Sequence, residues 1–171
     1  MTNVLITGAN RGLGLGFVKN YLGKDVNVVS TTRDIKGSTE LLALKEIFRD
    51  KLEIFELDLI KESAGETIAN LIGDRPIDIL INNAGVGSTN QHFEAVSPKP
   101  WLEVLKVNLI APLMITQSII NNVKNFLIAF IISNTFTIAF IIAYISILTK
   151  STQIIRSIIT LFTIIIIKIE V

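Results

Sequence analysis

The turn between Ile6 and Leu15 constrains this chain more than any other stretch. Thr7-Gly8-Ala9-Asn10-Arg11-Gly12-Leu13-Gly14 follows a short apolar run, Val4-Leu5-Ile6. Behind it, Leu15, Val18 and Leu22 recur at helical spacing, and Gly23 marks a stop. A strand that passes through three glycines straight into a helix has few solutions. Gly8 allows a tight turn, Gly12 lets backbone approach an anionic ligand, and Gly14 lets helix and strand pack closely. The helix start then offers free N–H groups and a partial positive charge, a setting suited to a pyrophosphate.

The next hundred residues repeat this alternation. Val26–Thr31 is a β-branched run, and Ser38 precedes a helix carrying Leu41, Leu44, Ile47 and Phe48. Leu52–Leu59 alternates as a third strand. Ser63-Ala-Gly-Glu66 has the spacing of a capping box, followed by Ile68, Leu71 and Ile72, with Gly73 as terminator. Ile77–Ile81 is a fourth strand, cut off by Asn82-Asn83-Ala84-Gly85. Ser97-Pro98 opens a last helix whose buried side is predicted to be Trp101, Leu102, Leu105 and Leu109, with a kink at Pro112. The order β-α-β-α-β-α-β-α implies an α/β fold: a Rossmann-type, doubly wound parallel sheet, incomplete at about four strands. Ligands of such sheets sit at the carboxyl ends of the strands.

Composition narrows the chemistry. Sixteen basic and 15 acidic side chains leave a net charge of +1. With no basic excess to displace counterions, a nucleic-acid partner is not expected. The absence of cysteine excludes disulfides, thiolate catalysis and a Cys-zinc site, and one histidine, His92, excludes a multi-His metal cluster. No metal site is expected. His92 and Trp101 read as structural.

Thr-Gly-x-x-x-Gly-x-Gly at Thr7–Gly14 resembles the nucleotide turn of the short-chain dehydrogenase/reductase family. Three more matches stand at that family's positions: Asp58 at the end of strand three, Asn82-Asn83-Ala84-Gly85 at the end of strand four, and Asn108 in the following helix. The resemblance covers about residues 1–120. Its wording (Thr-Thr-Arg-Asp and Val-Asn-Leu-Ile-Ala-Pro included) is most similar to the C-factor and sniffer-like carbonyl reductases. It implies a nicotinamide dinucleotide held by Gly8, Asn10, Arg11, Gly12, Leu13, Gly14, Arg33, Asp58, Leu59, Asn82, Ala84 and Gly85. Asp58 would hold the adenine amino group, and Asn108 would support a water in the proton relay. A small carbonyl compound would be the substrate of an active member, and a cytoplasmic location would follow.

The ribose-reading position, about 20 residues past the turn, falls on Thr32-Arg33-Asp34. An acid there accepts hydrogen bonds from a 2′-hydroxyl and favours NAD; an arginine pairs with a 2′-phosphate and favours NADP. Neighbours at a strand end face opposite ways, so one of the two reaches the ribose. Arg11 adds a second guanidinium, and two guanidiniums suit a phosphate dianion better than a hydroxyl. NADP is therefore expected over NAD.

The proton-delivery apparatus is missing. The family uses a tyrosine followed four residues later by a lysine, which share one helix face, and a serine at the end of strand five. Here Tyr21 is followed at that spacing by Asp25, and Tyr144 by Leu148. Lys150 lies six residues after Tyr144, on a different face. Ser133 follows Phe126–Ile132, a run that could imitate strand five. Asn108 is the retained catalytic position; Ser133, Tyr144 and Lys150 are the remaining candidates. The chain as written is expected to be catalytically incompetent.

Composition changes abruptly near residue 120. All ten glycines lie at or before Gly87 and all four prolines at or before Pro112. Residues 126–171 hold 17 isoleucines and four charges, Lys150, Arg156, Lys168 and Glu170. Two parts are expected: a nucleotide-binding half-domain over 1–120 and an apolar, helical tail over 121–171. Residues 125–149 carry no charge, and as a helix they would span about 37 Å, enough for a bilayer core of about 30 Å. Three readings stand open: a membrane anchor, a buried helix covering the sheet, or translated noncoding sequence behind a truncation or mis-splicing. The Ile/Phe/Asn/Lys/Thr bias favours the third. A membrane partner follows only from the first.

Overall fold

The computed structural model of the chain describes residues 2–87 and 98–130, with backbone alone for 124–130. Five parallel strands form one sheet: β1 (Asn3–Ile6), β2 (Asn27–Thr32), β3 (Leu52–Glu56), β4 (Ile77–Asn82) and β5 (Val123–Phe130), in the order β3-β2-β1-β4-β5. The helices are α1 (Gly12–Leu22), α2 (Thr39–Phe48), α3 (Ala64–Ile72), α4 (Pro98–Leu105) and α5 (Ala111–Ser118). The doubly wound α/β fold is as the sequence predicts.

Side chains alternate across the sheet, so β1, β2, β3 and β4 each feed two cores. Val4 and Ile6 join Leu15, Val18, Leu22, Val28 and Leu41 on the face covered by α1 and α2. Leu5 joins Val29, Ile68, Leu80, Ala111 and Ile115 on the face covered by α3 and α5. Burying one such side chain fully contributes about 1.5–3 kcal/mol. After β1 the chain winds outward through β2 to β3, then returns to the other side of β1 for β4 and β5. That reversal leaves a crevice beyond the carboxyl ends of β1 and β4.

Several expectations need correction. The sheet has a fifth strand, and it lies where a tail helix was expected to begin. Residues 125–130 are extended and pair with β4 through Leu80↔Ile128 and Ile81↔Ala129. β-Branched and aromatic residues suit a pleated surface, and the free edge of β4 supplies the backbone partners. The rest of 125–149 lies outside the described residues, as do His92, Ser133, Tyr144 and Lys150. Among the described residues no helix is long and apolar enough to cross a membrane.

The helix from Pro98 also buries another face than expected. Val104, Val107, Asn108 and Ala111 are buried, whereas Trp101, Leu102 and Leu105 are exposed. Between α4 and α5 a π-helical turn spans Lys106–Ile110. Pro112 has no N–H for the carbonyl four residues earlier, and the wide turn just before it absorbs that defect. Finally, Ser38 and Ser63 stand at the N-caps of α2 and α3, yet neither makes a side-chain capping bond.

Candidate functional site

A cavity of about 720 Å³ opens at the crevice. Gly8, Asn10, Arg11, Gly12 and Leu13 form its base, and Thr31, Thr32, Arg33 and Asp34 one rim. Leu57, Asp58, Leu59 and Ile60 continue that wall, and Asn83, Ala84, Gly85, Val86 and Gly87 run along the opposite side. Pro100, Glu103, Val104 and Val107 approach from the helical segment. Ten of the residues expected to hold a dinucleotide thus line one space: Gly8, Asn10, Arg11, Gly12, Leu13, Arg33, Asp58, Leu59, Ala84 and Gly85.

The glycines divide their work as the turn requires. Gly8 has φ +64°, and a Cβ there would stand 2.6 Å from Ala84 Cα. Gly14 does not line the cavity; a Cβ on it would collide with the Gly8 carbonyl oxygen and Asn83 Nδ2. It sets the close packing of α1 on the strand ends. Gly12, at φ +55°, has nothing within 4 Å of the same position, so its backbone borders open cleft.

A polar latch holds β1 and β4 together beneath the turn. The Thr7 hydroxyl accepts hydrogen bonds from the N–H groups of Asn83 and Ala84, both at 3.1 Å. Asn83 Nδ2 donates to the carbonyls of Thr7 and Gly8, both at 2.9 Å. Thr7 is buried. Sequence reasoning overlooked it, although a polar residue directly after a buried strand, facing a second strand end, is the available signal. Asn82 does not line the cleft. It is buried, its Nδ2 donates to Thr116 Oγ1 at 3.3 Å, and its Oδ1 is buried with no partner among the described residues.

Asn108 lies behind the cleft wall. Its Oδ1 accepts from the Val86 N–H and its Nδ2 donates to the Val86 carbonyl, both at 2.9 Å. This reciprocal pair fixes the segment after β4 against the π turn. Asp58 serves the loop after β3, where its Oδ1 accepts from the Ile60 N–H at 3.2 Å, while the residue also faces the cavity.

Charge is arranged for an anion. Arg11 is the N-cap of α1 with extended backbone and no side-chain capping bond, and no acid lies in the first turn. Among the described residues the first N–H groups of α1 therefore have no side-chain acceptor, and Gly12 and Leu13 place them at the cavity. Among the described residues, neither Arg11 nor Arg33 has an acidic partner. Asp34 is engaged locally: its Oδ1 accepts from the Gly37 N–H at 3.0 Å. Two guanidiniums and an uncapped helix start around one cavity suit a phosphorylated dinucleotide.

The family model described as short chain dehydrogenase matches residues 2–143. The 3-oxoacyl-[acyl-carrier-protein] reductase of Buchnera aphidicola is 32% identical over 120 residues, covering 69% of this chain and 48% of that protein. A carbonyl reductase from Pseudomonas aeruginosa PAO1, solved in complex with NADP, is 35% identical with a TM-score of 0.68, covering 72% of this chain and 56% of that one. An NADPH-bound carbonyl reductase from chicken fatty liver is 33% identical with a TM-score of 0.63, covering 71% and 51%. The chain spans about half the length of the curated relatives it matches.

Proposed function

Because the chain belongs to the short-chain dehydrogenase family, we propose that its cleft binds NADP in preference to NAD, as the cofactor site of a carbonyl reductase, without these residues themselves catalysing the reduction. One observation carries the cofactor choice. Arg11 and Arg33 flank the uncapped start of α1 without acidic partners among the described residues, while Asp34, next to Arg33 in the chain, is drawn into its own turn. A ribose 2′-phosphate would meet Arg33, and the pyrophosphate would meet the N–H groups of Gly12 and Leu13. Asp58 and Leu59 would take the adenine end, with Ala84 and Gly85 along the dinucleotide. The NADP and NADPH bound by the two carbonyl reductases support this reading.

When bound, the nicotinamide supplies a hydride for a carbonyl carbon. This chain's own residues hold and orient it; Asn108 positions the Val86 segment beside the cleft. The proton is another matter. No tyrosine in the 171 residues has a lysine four positions later. The chain by itself therefore holds cofactor without turning it over.

Calorimetric titration with NADP and with NAD tests the cofactor assignment. NADP should bind at least about tenfold tighter, a difference of about 1.4 kcal/mol, and Arg33→Ala should erase the preference. Equal affinities in the parent chain would overturn it. NADPH oxidation by an aldehyde or quinone should not exceed the uncatalysed rate. Turnover that disappears on Tyr144→Phe would refute the non-catalytic part.

A further inference from the structure

An acid beside an arginine that meets a phosphate should weaken binding. At Asp34 the geometry points to the opposite. The seven residues from Thr32 to Ser38, which join β2 to α2, close on themselves through that residue. Its Oδ1 accepts from the Gly37 N–H at 3.0 Å. Its N–H donates to Thr32 Oγ1 at 3.3 Å, and its carbonyl accepts from the Ser38 hydroxyl. Thr32 Oγ1 and Ser38 Oγ lie 3.1 Å apart, and both residues are buried. The Thr32 carbonyl accepts from the N–H of Leu57, the residue just past β3, at 2.8 Å. Gly37 belongs to the same closure, because a Cβ on it would collide with the Asp34 carboxylate. Arg33 is enclosed by this ring of bonds and is exposed at the cavity rim.

We propose that Asp34 is a positioning residue for NADP selectivity. Its carboxylate oxygen anchors the turn that presents Arg33, so the loop keeps the guanidinium at the rim without a search through loop conformations on binding. What matters is the acceptor oxygen, not the charge. This inference rests on the NADP reading above and adds a residue whose electrostatic sign alone would argue against it.

Two variants separate geometry from charge. Asp34→Asn keeps an acceptor for the Gly37 N–H and removes the charge. Asp34→Ala removes both. Titration with NADP and NAD should show Asp34→Ala binding NADP about three- to tenfold more weakly while its NAD affinity changes less than twofold. Asp34→Asn should bind NADP as tightly as the parent or tighter. Without any nucleotide, the Gly37 amide should exchange faster in Asp34→Ala than in Asp34→Asn. A general loss of structure would weaken both nucleotides together and would refute the positioning role. So would an Asp34→Ala variant that binds NADP as well as or better than the parent, since charge would then dominate. If instead the parent does not distinguish NADP from NAD, the cofactor reading fails, and the inference fails with it.

Discussion

Gly12 and Gly14 stand two residues apart and carry different loads. The missing Cβ of Gly14 is filled by the Gly8 carbonyl and the Asn83 amide, whereas that of Gly12 faces open space. Gly14→Ala should therefore cost about 1–3 kcal/mol of stability through overpacking, seen as a lower midpoint in urea. Gly12→Ala should cost only about 1 kcal/mol for its left-handed backbone but weaken NADP binding more, because its methyl group enters the cleft. Equal losses of stability in the two variants would contradict this division. Thr7 gives a third case. Thr7→Val strips the acceptor from the half-buried Ala84 N–H, whereas the Asn83 N–H keeps the Ile81 carbonyl at 3.0 Å, and leaving one such donor unsatisfied costs about 1 kcal/mol. The same measurement checks it. The glycine roles were legible because spacing between a strand and a helix fixes what each must do. The partners of Thr7 and Asn108 were not, since Asn83 and Val86 come close only once the strands have paired.

At the scale of elements, the segment from Pro98 to Ser118 offers two helical stripes. Trp101, Leu102, Leu105 and Leu109 form the bulkier one, and Val104, Val107, Ala111 and Ile115 the leaner one. Bulk suggested the wrong choice. The sheet takes the leaner stripe, where Val107, Ala111 and Ile115 reach the same core as Leu5 and Leu80. β5 was only half legible for a related reason: the run Phe126–Ile132 reads equally as a strand or as the start of a helix, and the partner that decides it, β4, is remote in sequence. Close approach between α3 and α5 is set by Gly65, whose Cβ would meet the Ser118 hydroxyl and stand 3.0 Å from the Met114 carbonyl. Gly65→Ala should destabilise by about 1–3 kcal/mol. In a Ser118→Ala background the same change should cost at least about 0.5 kcal/mol less. Chemical denaturation of the four proteins of this cycle measures the coupling, and strict additivity would show that the two helices do not meet through these residues.

For the molecule as a whole, the cleft and the cores are one mechanical object. The latch residues Thr7 and Asn83 lie at the ends of β1 and β4, the strands whose apolar faces feed both cores. A dinucleotide bridging the turn after β1 and the segment after β4 should therefore stabilise the sheet, not merely quiet the loops. Ligand that binds only the folded state adds about 2.7 kcal/mol at a hundredfold excess over its dissociation constant. The melting temperature should climb with the logarithm of NADP concentration and respond far less to NAD. Amide exchange sharpens the test. NADP should slow exchange at Leu5 and Leu80, deep in the sheet, by the same factor that it raises global stability. Protection confined to residues 8–14 and 83–87 would mean that the cleft opens independently of the cores, and that the strand-end latch does not couple cofactor to fold.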